Sequence, residues 1–179
     1  ALEQAKASDA ELVMANDPDA DRVGIAIRNG EGEFTLLNGN QTAALLINYV
    51  MTAWEKNGLL TGKEYVIKTI VTSYLIDKMA AAKGIECFNT LTGFKWIGKI
   101  MTALEGKKTF LAGGEESYGL LVGEHARDKD AVVSCAMIAE MAAYYKDQGR
   151  SLWDALLDIY EEYGCYKEKL IAITKKGKS

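Results

Sequence analysis

The chemistry in this chain concentrates in four short stretches. "NDPDADR" sets Asp17, Asp19 and Asp21 at every second position beside Arg22. Carboxylates this crowded repel one another unless a cation neutralises them, and magnesium prefers such hard oxygen ligands, usually with a phosphate and waters completing an octahedron. A solvated acidic turn is the bland alternative. An EF-hand is excluded, because its loop needs Gly at the sixth position and Glu at the twelfth, where Arg22 and Arg28 stand. An aspartyl-phosphate phosphatase loop, with Asp17 as nucleophile, carries Thr or Val where this chain has Asp21, so metal binding suits the three acids better. Arg22 adds a fork for a phosphate oxygen.

"GGEESYG" combines glycines that let a ligand approach the backbone with Glu115, Glu116 and Ser117, acceptors and a hydroxyl of the kind that read sugar hydroxyls. "TLTGFKW" places Thr92, Gly93 and Lys95 between a strand and a helix, where free N–H groups favour anions; equally, Thr92 could simply cap that helix. "HARDKDA" holds the only histidine, His125, and Lys129 between two acids, with Asp130 placed to cap the next helix. Lys129 becomes an acid/base candidate only beside a phosphate or metal.

These loops must be held by a scaffold, and the pattern around them alternates strand and helix. "ELVMA" reads as a short buried strand entering the aspartates, and "RVGIAIRNGEGEFTLLNG" as a hairpin turning at Asn29–Gly30. A helix over 41–57 ends at Gly58. Strands "EYVIKTIVTS", "IECFNTL" and "TFLAGG" then alternate with helices "YLIDKMAAAKG" and "FKWIGKIMTALEG". This order predicts an α/β fold with a mixed, mostly parallel sheet between helices, preceded by the hairpin. Two helices follow, "DAVVSCAMIAEMAAYYKDQG", apolar nearly all round and expected to be sandwiched, and "SLWDALLDIYEEYG"; a last strand is expected over "YKEKLIAIT". Ligand-binding residues collect past the carboxyl ends of strands in such sheets, which is where the loops fall.

With 179 residues, 49% of them hydrophobic, the chain can bury a core. Its 25 acidic and 21 basic residues give a net charge of −4, with "KKGK" at 175–178 the one basic cluster, so neither nucleic acid nor an anionic membrane is an expected partner. Cys87, Cys135 and Cys165 are odd in number and widely spaced, which points to a reducing, cytoplasmic setting. The chain lacks an initiator Met and runs almost at once into a strand, so a piece of a longer protein is expected.

Together "DPDADR", "TLTGFKWIG", "GGEESYG" and "RDKDA", in this order, resemble the phosphohexomutase superfamily, on its phosphoglucomutase side. The resemblance implies that 1–38 are the end of the second domain with the metal loop, 39–174 the third domain with the sugar loop, and 175–179 a linker tail. The first domain, with its phosphoserine loop, and the fourth, with its phosphate-binding loop, would be missing partners. It implies Mg²⁺ held by Asp17, Asp19 and Asp21, and contacts to the substrate from Arg22, Thr92, Gly93, Lys95, Glu115, Ser117 and His125, with Lys129 as the catalytic acid/base. The implied reaction interconverts glucose 1-phosphate and glucose 6-phosphate through glucose 1,6-bisphosphate, with the isolated piece inactive. Tyr118 and Gly119 stand where phosphomannomutase-like members have Gly and His, which argues against mannose phosphate. Phosphopentomutase, phosphomannomutase, the phosphatase and a non-catalytic metal- or sugar-binding domain are the alternatives.

Overall fold

The computed structural model describes residues 1–169, 171, 173 and 177. A short helix, α1 (Leu2–Ala7), leads into β1 (Leu12–Asn16), β2 (Val23–Arg28) and β3 (Phe34–Leu36), an antiparallel sheet in the order β1-β2-β3. The aspartate loop therefore spans the β1–β2 connection, with Asn16 facing Val23 across the pair. β1 is an edge strand and is only half-buried to exposed, not buried as its apolar run predicts, because among the described residues β2 alone pairs with it. The β2–β3 turn runs from Asn29 to Glu33 and is longer than a turn at Asn29–Gly30. Gly32, at φ 79°, takes the left-handed position, while Asn29 Oδ1 accepts the N–H groups of Glu31 and Glu33.

Then follow α2 (Gly39–Lys56), β4 (Glu64–Thr69), α3 (Leu75–Ala82), β5 (Glu86–Thr90), α4 (Phe94–Leu104), β6 (Thr109–Gly114), β7 (Leu120–Val122), α5 (Ala131–Asp147) and α6 (Leu152–Tyr163). The second sheet has the order β5-β4-β6-β7, parallel throughout except for β7. Its two faces are covered by different helices. Alternate residues of β4 point to opposite sides, so Tyr65 and Ile67 pack with Phe94, Ile97 and Met101 of α4, whereas Val66 joins a larger core with α2, α3, α5 and α6. The predicted mostly parallel sheet between helices is the fold observed.

α2 begins at a capping box, Asn38 accepting the N–H of Gln41 while the Gln41 side chain accepts that of Asn38. α5 is not sandwiched. It buries only Ala131, Ser134, Ile138 and Met141 and leaves Val132 65% exposed, since β7, α2, α6 and the β1–β2 pair that pack on it leave one face to solvent. Two elements have no forecast, α1 and β7; each is too short to establish a period. The strand predicted over 166–174 falls partly outside the described residues, and Tyr166–Lys169, which are described, form no strand.

Candidate functional site

The carboxyl ends of β4, β5 and β6, at Thr69, Thr90 and Gly114, lie side by side in the parallel sheet, and the loops after β5 and β6 emerge there. The aspartate loop comes from the other sheet and reaches the same place through backbone bonds. Arg22 bridges Gly119, Val23 N donates to Tyr118 O at 3.2 Å, and Ala131 N donates to Ala20 O at 3.1 Å. Ala20, at φ 55°, and Tyr118, at φ 71°, occupy the left-handed region although neither is glycine, so both loops carry backbone strain where they meet.

One oxygen from each of Asp17, Asp19 and Asp21 lies within 4.8 Å of the others. Asp17 is the most fixed: its Oδ1 accepts the N–H of Asp21 at 3.2 Å and of Arg22 at 3.1 Å. Desolvation works to raise its pKa, but the hydrogen bonds from Arg22 and Asp21 prevail and hold it below the usual carboxylate value. Asp19 is exposed. Asp21 Oδ2 lies 3.0 Å from Lys129 Nζ, while its Oδ1 is buried without a hydrogen bond among the described residues, Arg22 Nε being 3.6 Å away. A converging set of hard oxygens, one of them buried and unsatisfied, fits a divalent cation of the magnesium type.

Lys129 is the joint between this loop and the next. Its side chain, 13% exposed, also contacts Asp128 Oδ1 at 3.0 Å, and its ammonium stands 5.5 Å from the centre of the Phe94 ring. The stem passes over Gly119, where a Cβ would collide with Lys129 Cδ, so the glycine makes room for it. Burial works to lower the Lys129 pKa, but Asp21 and Asp128 outweigh it and raise the group above its ordinary value of 10.5. At neutral pH Lys129 is therefore an ammonium with a proton to give.

In the glycine loop, buried Glu115 accepts the N–H of Gly93 through Oε1 at 2.8 Å, tying the loops after β5 and β6 together, and donates its own N–H to Gly119 O at 2.8 Å. The Ser117 hydroxyl makes no hydrogen bond to a described residue. Thr92 is exposed and does not cap α4; the N-cap is Gly93, at φ 108°, without a side-chain bond. His125 Nε2 is 2.9 Å from Asp130 Oδ2, while Asp130 Oδ1 accepts the N–H of Val133 and caps α5. Those bonds hold the Asp130 pKa below the usual range, the Val133 backbone N–H first and His125 second. Lys95 is exposed, with its ammonium 5.3 Å from the centre of the Trp96 ring.

The structure thus brings together Asp17, Asp19, Asp21, Arg22, Gly93, Glu115, Ser117 and Lys129, and bonds His125 to the Asp130 that caps α5. Three further residues take part without having been singled out as site residues. Asp128 grips Lys129 through both N–H and ammonium, and Thr69 and Thr72 donate toward Glu116, although "TIVTS" reads only as strand. A hollow of 350 Å³ beside the aspartates is lined by Asn16, Asp17, Arg22, Leu36 and Tyr118. A roomier cleft of 600 Å³, between α2, α5 and α6, contains none of these groups and has no part in the site.

The family model described as "Phosphoglucomutase/phosphomannomutase, alpha/beta/alpha domain III" matches residues 38–163. A phosphoglucomutase of Staphylococcus epidermidis is 38% identical over 176 residues, 98% of this chain and 32% of the relative. One from Staphylococcus aureus is 38% identical over 179 residues, 99% of this chain and 31% of its own length. The chain thus spans about a third of these relatives. Among solved structures, the parafusin (phosphoglucomutase) of Paramecium superposes with a TM-score of 0.68 at 24% identity, covering 87% of this chain and 25% of that one. An Aspergillus fumigatus N-acetylphosphoglucosamine mutase, solved with GlcNAc-6P and magnesium, gives 0.61 at 15% identity, covering 81% and 35%. These two share the fold.

Proposed function

The chain belongs to the phosphoglucomutase/phosphomannomutase family, and on that premise we propose that it is the metal-holding and sugar-reading portion of a phosphoglucomutase that interconverts glucose 1-phosphate and glucose 6-phosphate. Residues 1–38 would close a preceding domain, 39–174 form the third domain and 175–179 lead onward. The phosphoserine donor, the loop that grips the second phosphate and turnover through glucose 1,6-bisphosphate belong to the rest of such an enzyme. Three unpaired cysteines suit the reducing cytoplasm. No helix of the described residues is long and apolar enough to cross a membrane.

The observation that carries this reading is the meeting of the aspartate and glycine loops at Lys129. In it Asp17, Asp19 and Asp21 would hold Mg²⁺, which when bound would neutralise and polarise phosphoryl oxygens. Asp17 is fixed in advance by two backbone N–H groups, the kind of preorganisation that phosphoryl transfer depends on. Arg22 steadies the phosphoryl group. Glu115 and Ser117 bind ring hydroxyls, with Gly93 and Thr92 completing that wall. Lys129, charged and largely buried, gives a proton to the oxygen losing its phosphoryl group, and the amine left behind takes the proton released by the attacking hydroxyl, so the lysine ends each transfer as an ammonium. Exposed Lys95 and His125, held by Asp130, stay outside this assignment.

Glucose 1-phosphate conversion with Mg²⁺ and glucose 1,6-bisphosphate tests the reading, measured on this chain and on a protein that carries it among the domains of its relatives. We expect no turnover from the chain and turnover from the larger protein. Turnover by the chain alone, or trapping of Asp17 by beryllofluoride with release of inorganic phosphate, contradicts it.

A further inference from the structure

Lys68, on β4, is fully buried, and Val66, two residues earlier on the same face of the strand, belongs to the apolar core. An aliphatic side chain would pack there, and a buried ammonium adds no stability unless its partners match its desolvation cost. Lys68 Nζ lies 3.0 Å from Asp77 Oδ2 of α3 and 4.8 Å from the centre of the Tyr74 ring, and donates to Thr72 O at 3.1 Å and Thr69 O at 3.5 Å. Asp77 is itself held by Asn89 at 2.7 Å. The ammonium therefore ties α3 to both ends of the turn that follows β4.

Those same two threonines hold the glycine loop. Both are buried, their hydroxyls are 2.7 Å apart, and each lies 3.1 Å from Glu116 Oε2. The Glu116 backbone is seated against Gly39, where a Cβ would collide with Glu116 O. The neighbour on one side is Glu115, bonded to Gly93; on the other is Ser117. We propose that Lys68 is a positioning residue: through the turn at 69–72 and Glu116 it fixes the direction in which Glu115 and Ser117 present their oxygens to a polyhydroxylated ligand. The positioning is a statement about the loop, while the ligand class rests on the function proposed above.

Amide hydrogen exchange on this chain, without ligand, tests it. Thr72→Val removes the hydroxyl and keeps the volume; Thr72→Ser restores the hydroxyl; Lys68→Met removes the ammonium. For Thr72→Val and Lys68→Met we expect exchange at Glu115–Gly119 and Gly93 to rise about tenfold, with β4 and β6 amides unchanged and Thr72→Ser like the parent. Loop exchange at the parent rate in Lys68→Met or in Thr72→Val, or faster exchange spread evenly through β4 and β6, overturns the proposal; if Lys68→Met does not fold, Asp77→Asn, which removes the carboxylate that holds the ammonium, takes its place with the same expected rise. Glucose 6-phosphate affinity on the same samples is a separate reading: should the parent bind none, the ligand class falls while the exchange result still judges the positioning. If the parent does bind, Thr72→Val weakens affinity and Thr72→Ser restores it.

Discussion

Lys129 Nζ sits 3.0 Å from Asp21 Oδ2, so the catalytic candidate of one loop is ion-paired to a metal candidate of another. The pair places two cations, the ammonium and a bound metal, in competition for one carboxylate. Lys129→Met is expected to tighten Mg²⁺ binding to this chain by about three- to tenfold, the modest size set by the partly solvated surroundings. Calorimetric titration measures it. In an enzyme that contains the chain, the same change should slow turnover by about 10²–10⁴-fold, the usual worth of a positioned acid/base.

Folding raises the Lys129 pKa above 10.5, because Asp21 and Asp128 overcome the opposing effect of burial. A raised folded value means the stabilisation is complete below 10.5 and is lost as pH climbs through the folded pKa. Denaturation midpoints should therefore fall above pH 10.5 more steeply in the parent than in Lys129→Met.

Asp19 is exposed, whereas Asp17 is built into its turn by two backbone bonds. Asp19→Asn should weaken Mg²⁺ binding about tenfold, ~1.4 kcal/mol, with the melting temperature nearly unchanged. Asp17→Ala should lose both metal affinity and stability, since two N–H groups lose their acceptor. Paired calorimetry and thermal melts separate the two effects.

Gly39 opens α2 against the Glu116 carbonyl, with no room for a Cβ. Gly39→Ala should cost about 1–3 kcal/mol in urea denaturation, the common penalty of overpacking. At Gly62, where a Cβ would meet nothing but φ is 84°, alanine should also destabilise, through backbone strain instead of collision.

At the start of α6, the Ser151 N–H and hydroxyl both donate to Asp154 Oδ2, at 2.9 and 2.8 Å, and keep its pKa below the ordinary 3.8. A depressed folded value means this stabilisation is present above 3.8 and is lost as pH falls through the folded pKa. Ser151→Ala should cost about 1 kcal/mol at pH 7, with less effect once Asp154 is protonated.

Much of the fold was legible because its helices and parallel strands repeat their periods for long enough to be recognised. The failures fall where a period is short or a neighbour decides: β7 is three residues long, and β1 looks buried only until its edge position is known. α5 reads as apolar all round, yet packing on one side leaves Val132 exposed. In the site, the aspartates, Glu115 and Lys129 are visible as residue types at suggestive spacings. Their meeting is not, because the Lys129–Asp21 pair spans two sheets and Thr72 reaches Glu116 only through the tertiary fold. Nor did sequence distinguish His125 as a ligand contact from His125 as a partner of the capping Asp130.

A nuclear magnetic resonance titration decides whether the aspartate, threonine-glycine and glycine loops form one site for a metal and a sugar phosphate. With Mg²⁺ saturating and glucose 6-phosphate added stepwise, shifts are expected at Asp17–Arg22, Gly93, Glu115–Ser117 and Lys129, all with one affinity. Shifts confined to the cleft around Tyr49, Tyr145 and Tyr163, or affinities that differ among the three loops, contradict such a site.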